Sequence, residues 1–168
     1  LSVLIISLIG AFDDLWNLSR PFKIIAPLSA AVPLVAVKAG VTMIHLPGLG
    51  AVNLGAAYSL VLVPLGMTGA ANAANILAGF NGLEAGLGLV AAAGLAAITF
   101  TTGQFTAFAI LTCLAAPLIV TLWFNWHPAR VFIGNVGTFS IGAILCSACV
   151  LGNCETAGLI VMIPHGID

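Results

Sequence analysis

The chain has 168 residues, of which 61% are hydrophobic and 5% charged, whereas an average soluble domain is about 25% charged. So few charged side chains cannot cover a water-soluble globule, and the mean hydropathy of +1.22 agrees. Disordered chains are polar, which excludes disorder here. A net charge of −1 excludes a nucleic-acid binder, which needs a basic face. The composition therefore predicts a polytopic membrane protein.

A helix that spans a bilayer needs about 20 apolar residues. Apolar stretches that fit, the first and last being cut by the chain ends, are 1–12, 22–40, 56–74, 84–103, 104–124, 133–153 and 155–168. They predict an all-α integral membrane protein with a bundle of six to seven transmembrane helices in a single domain over residues 1–168. Because residue 1 is a leucine inside an apolar run, we expect the chain to be a fragment of a larger protein.

Segment 41–55 differs from the apolar stretches around it. It contains β-branched residues, a Pro47–Gly48 pair and further glycines. This composition is typical of a short hairpin or loop. We expect the segment to lie outside the bilayer, on the extracytoplasmic side.

Alternation of the spans across the bilayer gives the chain an orientation. Arg20, Lys23 and Arg130 fall on one side and Lys38 on the other. The positive-inside rule makes the first side cytoplasmic. Most of the remaining polar residues converge on that same side, as an active site at a membrane surface requires, because polar groups near hydrocarbon are costly and usually functional.

The first polar motif is the pair Asp13–Asp14, at the end of an apolar stretch. Adjacent carboxylates raise each other's pKa unless a cation stabilises them. Arg20 and Lys23 follow within ten residues. The pair is compatible with a metal site, a phosphate site or a general base, and equally with a solvated helix end.

The second motif covers residues 72–86. Asn72 and Asn75 are three residues apart and share one helix face. Asn81–Gly82 is a turn signal, and Glu84 opens the next span, where a carboxylate suits a helix N-terminus. A capped loop would explain these residues, but so many amides beside apolar spans favour a functional site.

The third motif covers residues 125–140. Pro128 breaks the preceding helix, and Arg130 is a natural partner for an anion. Asn135 follows Gly134 at the start of the next span. His127 beside Trp126 is more typical of an interfacial anchor than of a ligand.

Together the strings FDDLWNLSRPFK, NAANILAGFNGLEAG and NWHPARVFIGN resemble the polyprenyl-phosphate N-acetylhexosamine-1-phosphate transferase family. The resemblance is strongest to its archaeal and eukaryotic branch, the UDP-GlcNAc–dolichyl-phosphate GlcNAc-1-phosphate transferases. It runs in order across essentially the whole chain. Members of this family have about ten spans, so the resemblance also implies a fragment.

The resemblance implies an activity and its partners. The family moves a sugar-1-phosphate from UDP-GlcNAc, or a related UDP-HexNAc, onto a polyprenyl or dolichyl phosphate and releases UMP. This is the first step of lipid-linked glycan assembly, at the cytoplasmic face of a cell membrane or of the ER membrane. The implied cofactor is Mg²⁺ or Mn²⁺. Surrounding membrane lipid and a homodimer are further implied partners, and nucleic acid is not.

The resemblance also assigns roles to residues of this chain. It implies catalytic roles for Asp13, Asp14 and Lys23, and metal binding by Asn75 and Asn135. The substrate-binding residues that it implies are Asn72, Asn81, Gly82, Glu84 and Arg130.

Asn135 departs from the family pattern, which has a metal-binding aspartate at this position. An amide oxygen can bind a hard cation but carries no charge. A catalytically weak or inactive relative is therefore one alternative. A secondary transporter is another, although transporter sites lie near the bilayer midplane and these motifs lie at span ends. A purely structural bundle leaves the one-sided clustering unexplained.

Overall fold

The structure is a computed structural model that describes residues 1–46 and 50–166. A 3-10 helix at Ala26–Ala31 joins the second helix to the third, and a π-helical turn at Tyr58–Leu62 leads into the fourth. The α-helices are, in chain order, α1 (Ser2–Trp16), α2 (Arg20–Ile25), α3 (Val32–Ala36), α4 (Val63–Ile76), α5 (Leu83–Thr101), α6 (Phe105–Asn125), α7 (Gly134–Gly152) and α8 (Glu155–Gly166).

The all-α membrane class predicted from the sequence is confirmed. Within the described ranges, four helical segments are long and apolar enough to cross a bilayer: Tyr58–Ile76, Leu83–Thr101, Phe105–Asn125 and Gly134–Gly152. They match four of the predicted apolar stretches. The count of six to seven spans is not confirmed, because the other stretches form shorter helices.

The stretch 22–40 is broken because of the prolines within it and just before it. Pro21, Pro27 and Pro33 each lie in the first turn of a short helical piece. Proline lacks the N–H that an inner helical turn donates, so it is accommodated most easily in the first turn of a helix, although α6 continues through Pro117. Hydropathy alone does not report this interruption.

The hairpin predicted in segment 41–55 is present. Strands β1 (Met43–Leu46) and β2 (Gly50–Asn53) pair antiparallel, with Met43 opposite Asn53. The predicted Pro47–Gly48 turn lies outside the described residues.

Side-chain hydrogen bonds connect the elements at the hairpin end of the bundle. The backbone N–H of Val41 donates to Oδ1 of Asn153, just after α7, over 2.9 Å. The hydroxyl of Tyr58 donates to Oε1 of Glu155 at the start of α8. The hairpin therefore lies beside the point where α7 ends and α8 begins.

Helix α7 is the centre of the bundle. Over its apolar window 56% of the residues are buried, against 22% for α6. Small residues let its neighbours approach closely: a Cβ added at Gly142 would lie 2.2 Å from the carbonyl oxygen of Ala70 on α4. One added at Gly10 on α1 would lie 2.5 Å from the Cα of Val136.

The packing brings together the end of α1, the end of α4, the start of α5, the end of α6 and the start of α7. Hydrogen bonds connect Asp14 to α7, Asn75 to α7, and Gly82 to α6. We call this the polar end of the bundle. The hairpin lies at the opposite end, beside Asn153.

Candidate functional site

Asp13 is the buried centre of the polar end, with 2% of its surface exposed. Its Oδ1 accepts from the ammonium of Lys23 at 2.8 Å and from the backbone N–H of Leu18 at 2.9 Å. Its Oδ2 accepts from the side-chain amide of Asn135 at 2.8 Å. Both oxygens therefore have donors, and Lys23 compensates the charge.

Asp14 holds the N-terminus of α7. Its Oδ1 accepts from the backbone N–H of Asn135 at 2.9 Å and its Oδ2 from that of Val136 at 3.0 Å. These N–H groups have no partner inside the helix, and a carboxylate also suits the positive end of the helix dipole. Gly134 has φ +71°, and a Cβ there would lie 2.9 Å from Oδ2 of Asp14, so this position requires glycine.

Asn75 joins the cluster through Thr138. The hydroxyl of Thr138 donates to Oδ1 of Asn75 over 2.6 Å, and Thr138 is fully buried. Thr138 lies three residues after Asn135 on α7. The structure thus brings Asp13, Asp14 and Lys23 together with Asn75 and Asn135 through direct contacts and this one intermediate residue.

A second polar cluster is built around Asn125, which is fully buried. Its Oδ1 accepts from the backbone N–H of Gly82 at 2.8 Å, and its Nδ2 donates to the carbonyl of Val131 at 2.8 Å. Nearby, Nδ2 of Asn81 lies 2.9 Å from Nδ1 of His127. The loop after α4 is therefore fastened to the loop after α6.

Sequence reasoning did not include Asn125 among the candidate site residues. The signal that could have found it is an asparagine at the end of a long apolar helix, because an amide there needs partners. Its partners are backbone groups on two loops.

Glu84 is a buried carboxylate in the first turn of α5, with 4% exposure. Its Oε1 accepts from the backbone N–H of Gly79. Its Oε2 is buried and has no hydrogen-bond partner among the described residues. Glu84 thus holds the loop after α4 and retains one oxygen with free hydrogen-bonding capacity.

Two predicted residues lie at the polar end without a hydrogen bond to either cluster in the described part of the chain. Asn72 donates to the carbonyl of Thr68 on its own helix over 2.9 Å. Arg130 is exposed, and its backbone N–H donates to the carbonyl of Phe124. The Arg130 guanidinium therefore remains available to an anion.

An apolar cavity of about 370 Å³ runs beside α4. Its α4 side is lined by small residues, including Gly66, Gly69, Ala70 and Ala73. Among the α4 residues that line the cavity, Ala73 lies nearest to the polar end. Tyr58 and Glu155 line it near the hairpin end.

The oxygen donors of the first cluster decide which metal it suits. Within the described ranges, no three His, Cys, Asp or Glu side chains are placed to hold a metal ion. The remaining donors are the exposed carboxylate of Asp14 and the amide oxygens of Asn75 and Asn135. Oxygen ligands fit a hard cation such as Mg²⁺, with Asp14 as the one carboxylate that Lys23 does not compensate.

Three relatives place the chain among named proteins. It is 39% identical to a Sulfolobus acidocaldarius protein provisionally named UDP-N-acetylglucosamine–dolichyl-phosphate N-acetylglucosaminephosphotransferase, covering 100% of this chain and 52% of the relative. A Schizosaccharomyces pombe protein of the same name is 31% identical, covering 98% of this chain and 42% of the relative. A Geobacillus kaustophilus phospho-N-acetylmuramoyl-pentapeptide-transferase is 32% identical, covering 75% of this chain and 38% of the relative.

The chain spans about half the length of the curated relatives it matches most strongly. The family model described as glycosyl transferase family 4 matches residues 1–153. This match covers most of the chain, including all three polar motifs. The chain therefore belongs to glycosyl transferase family 4.

Proposed function

We propose that the protein containing this chain transfers N-acetylglucosamine-1-phosphate, or a related HexNAc-1-phosphate, from a UDP-sugar to a polyprenyl or dolichyl phosphate. The observation that carries the proposal is the contact of Asp13 with both Lys23 and Asn135 at one end of an apolar bundle. The names of the Sulfolobus and Schizosaccharomyces relatives support this choice of substrates. No observation favours a transporter, since these contacts lie at helix ends.

The two substrates impose the location of the site. The donor is a water-soluble polyanion, and the acceptor is a phosphate on a long lipid. They can meet only where a polar cluster borders the hydrocarbon. The cavity beside α4 offers apolar surface to a lipid chain, and its lining extends along α4 as far as Ala73.

The proposed reaction forms one P–O bond and breaks another. An oxygen of the lipid phosphate attacks the phosphorus that carries the sugar, and the bond from that phosphorus to the UMP oxygen breaks. Phosphoryl transfer depends mainly on positioning and on neutralisation of charge. Lys23 contributes positive charge beside Asp13, and the exposed guanidinium of Arg130 suits a phosphate.

The proposed cofactor is a divalent cation, Mg²⁺ or Mn²⁺. Asp14, Asn75 and Asn135 are the side chains that would hold it. When bound, such an ion neutralises developing charge on phosphate oxygens. The amide Nδ2 of Asn135 already donates to Asp13, so its carbonyl oxygen is the atom left for a cation.

The proposed orientation places the polar end in the cytoplasm. Arg20, Lys23 and Arg130 belong to segments at this end, whereas Lys38 precedes the hairpin. A cytoplasmic site also has direct access to a soluble UDP-sugar. We propose on the same basis that segment 41–55 is extracytoplasmic.

A transfer assay tests the proposal. The full-length protein in detergent is incubated with radiolabelled UDP-GlcNAc, dolichyl phosphate and Mg²⁺, and labelled lipid and released UMP are measured. We expect equal amounts of the two products, and a loss of about 100-fold in Asn75→Ala because a positioning contact is removed. Asn53→Ala is the matched control, since the side chain of Asn53 accepts from the backbone N–H of Gly55 at the hairpin end. Absence of lipid product, or equal losses in both variants, would contradict the proposal.

A further inference from the structure

We propose that Asn135 makes cation binding depend on the nucleotide, so that the site takes up its divalent cation together with a nucleoside diphosphate and binds it only weakly alone. This inference rests on the proposed function, because it concerns the same cluster.

Asp13 has little capacity left for a cation. Its side chain is fully buried, and the ammonium of Lys23 lies 2.8 Å from Oδ1. The backbone N–H of Leu18 occupies the same oxygen, and the amide of Asn135 occupies Oδ2. The buried charge is therefore compensated within the protein, as a buried carboxylate requires.

The side chain of Asn135 removes the need for a cation at Oδ2 of Asp13. Asparagine and aspartate have nearly the same shape, so an aspartate at position 135 would place a carboxylate oxygen where Nδ2 now lies, 2.8 Å from Oδ2 of Asp13. Two carboxylate oxygens that close require a proton or a cation between them. The N–H donor of Asn135 supplies a hydrogen bond instead.

The polar end carries no excess of negative charge that would concentrate cations. Its described ionisable groups, apart from histidine, are three carboxylates and three bases: Asp13, Asp14 and Glu84, and Arg20, Lys23 and Arg130. Asp14 alone is an exposed carboxylate, and its oxygens already accept two backbone N–H groups.

A nucleoside diphosphate supplies what this site lacks. Proteins commonly bind Mg²⁺ through one or two carboxylates together with substrate phosphates. The proposed protein ligands are one carboxylate, that of Asp14, and two neutral amides. The diphosphate oxygens would provide the remaining negative charge. The cation and the nucleotide are then expected to bind cooperatively, each raising the affinity of the other.

Mn²⁺ binding to the purified full-length protein tests this inference without turnover. Water-proton relaxation reports Mn²⁺ held by the protein, and the measurement is made with and without UDP and without lipid acceptor. We expect UDP to raise the Mn²⁺ affinity of the wild-type protein by about ten-fold or more.

Two variants test the role of the Asn135 contact. Asn135→Asp places a second carboxylate next to that of Asp13, and Lys23→Gln removes the positive charge that compensates Asp13. Each is expected to raise Mn²⁺ affinity without UDP by about ten-fold. Lys23→Gln serves if Asn135→Asp does not fold, since Lys23 is partly exposed. Asn53→Asp is the matched control: it adds the same charge at an exposed position of the hairpin end and should change Mn²⁺ affinity by less than about two-fold.

Wild-type protein that binds Mn²⁺ without UDP as tightly as Asn135→Asp would overturn the inference, and so would a wild-type affinity that UDP leaves unchanged. The transfer assay separates these results from a failure of the proposed function. If lipid product forms normally and Mn²⁺ binds tightly without UDP, only the inference is contradicted. If no lipid product forms, the proposed function is contradicted.

Discussion

The hydroxyl of Thr138 donates a 2.6 Å hydrogen bond to Oδ1 of Asn75 and so joins the last turn of α4 to the beginning of α7. Thr138 is fully buried, while Asn75 is half-buried. This contact fixes the distance between Asn75 and Asn135, which lie on different helices. The relative position of the two proposed cation-binding amides therefore depends on a hydroxyl that is not itself among the proposed ligands.

Thr138→Val tests this dependence. Valine keeps the shape but removes the donor, and interhelical hydrogen bonds in membrane proteins contribute about 1 kcal/mol. We expect a loss of this size in the free energy of unfolding, measured by denaturation in mixed micelles. We also expect a loss of about ten-fold in transfer, because Asn75 is no longer held in place.

Thr112→Val is the matched control for Thr138→Val. Thr112 is exposed, and its hydroxyl donates to carbonyls of its own helix. The Thr112→Val variant should retain the unfolding free energy and the transfer activity of the wild-type protein. Equal effects of the two substitutions would show that the Asn75 contact has no special role.

Asn125→Ala is expected to loosen the second polar cluster. The substitution removes two partly buried hydrogen bonds, to the N–H of Gly82 and to the carbonyl of Val131, and each contributes about 1 kcal/mol. Unfolding free energy in detergent is the measurement. Asn72→Ala is the comparison, since the side chain of Asn72 donates to a carbonyl of its own helix. A loss as large in that variant would contradict the role given to Asn125.

Polar residue types predicted the first cluster well, for a physical reason. Carboxylates and amides beside hydrocarbon are costly unless they serve a site, so the Asp13–Asp14 pair, Asn75 and Asn135 stood out in an apolar chain. Alternation of the spans then placed them at one end. Asn125 did not stand out as a site residue, because its partners are backbone groups whose proximity arises only from tertiary packing.

Hydropathy predicted the four long helices but not the interruption of segment 22–40. An average over side chains is insensitive to the missing N–H groups of Pro27 and Pro33, which decide where helical hydrogen bonding stops. Hydropathy also does not predict the burial of Glu84, because this burial results from packing of the loop after α4 rather than from local sequence.

Gly142→Ala is expected to separate α4 from α7. The added methyl group would lie 2.2 Å from the carbonyl oxygen of Ala70, so the backbones must move apart, at roughly 2 kcal/mol. Unfolding in mixed micelles measures the loss. Gly94→Ala on α5 is the matched control, because its added Cβ would meet no heavy atom within 4 Å.

Gly10→Ala is expected to affect activity as well as stability. Its added methyl group would lie 2.6 Å from the carbonyl oxygen of Asn135 and would displace the start of α7. We expect a loss of about ten-fold or more in transfer, because small misplacements at a reacting site are costly. Retention of full activity in Gly10→Ala would show that the start of α7 tolerates displacement.

A double-mutant cycle on Asp13 and Lys23 measures their ion pair. Each of Asp13→Asn and Lys23→Gln should lower the unfolding free energy, Asp13→Asn by about 2 kcal/mol since it leaves an ammonium near the buried site. The double variant should lose less than the sum, with a coupling energy of about 1 kcal/mol.

Lys38→Gln is the control for the cycle. Lys38 is exposed and has no ion pair among the residues that the structure describes, so its substitution should change stability by less than about 0.5 kcal/mol. Additive losses at Asp13 and Lys23 would show that the 2.8 Å contact contributes nothing.

The contact between Asp13 and Asn135 joins residues 122 positions apart, which has a consequence for biosynthesis. At ordinary translation speeds the ribosome needs about 10 s to make the intervening chain. During that interval the newly synthesised α1 carries Asp13 and Asp14 without their distant partners on α7. Lys23, only ten positions after Asp13, is synthesised almost at once and can neutralise the inner carboxylate while the later spans are still being made.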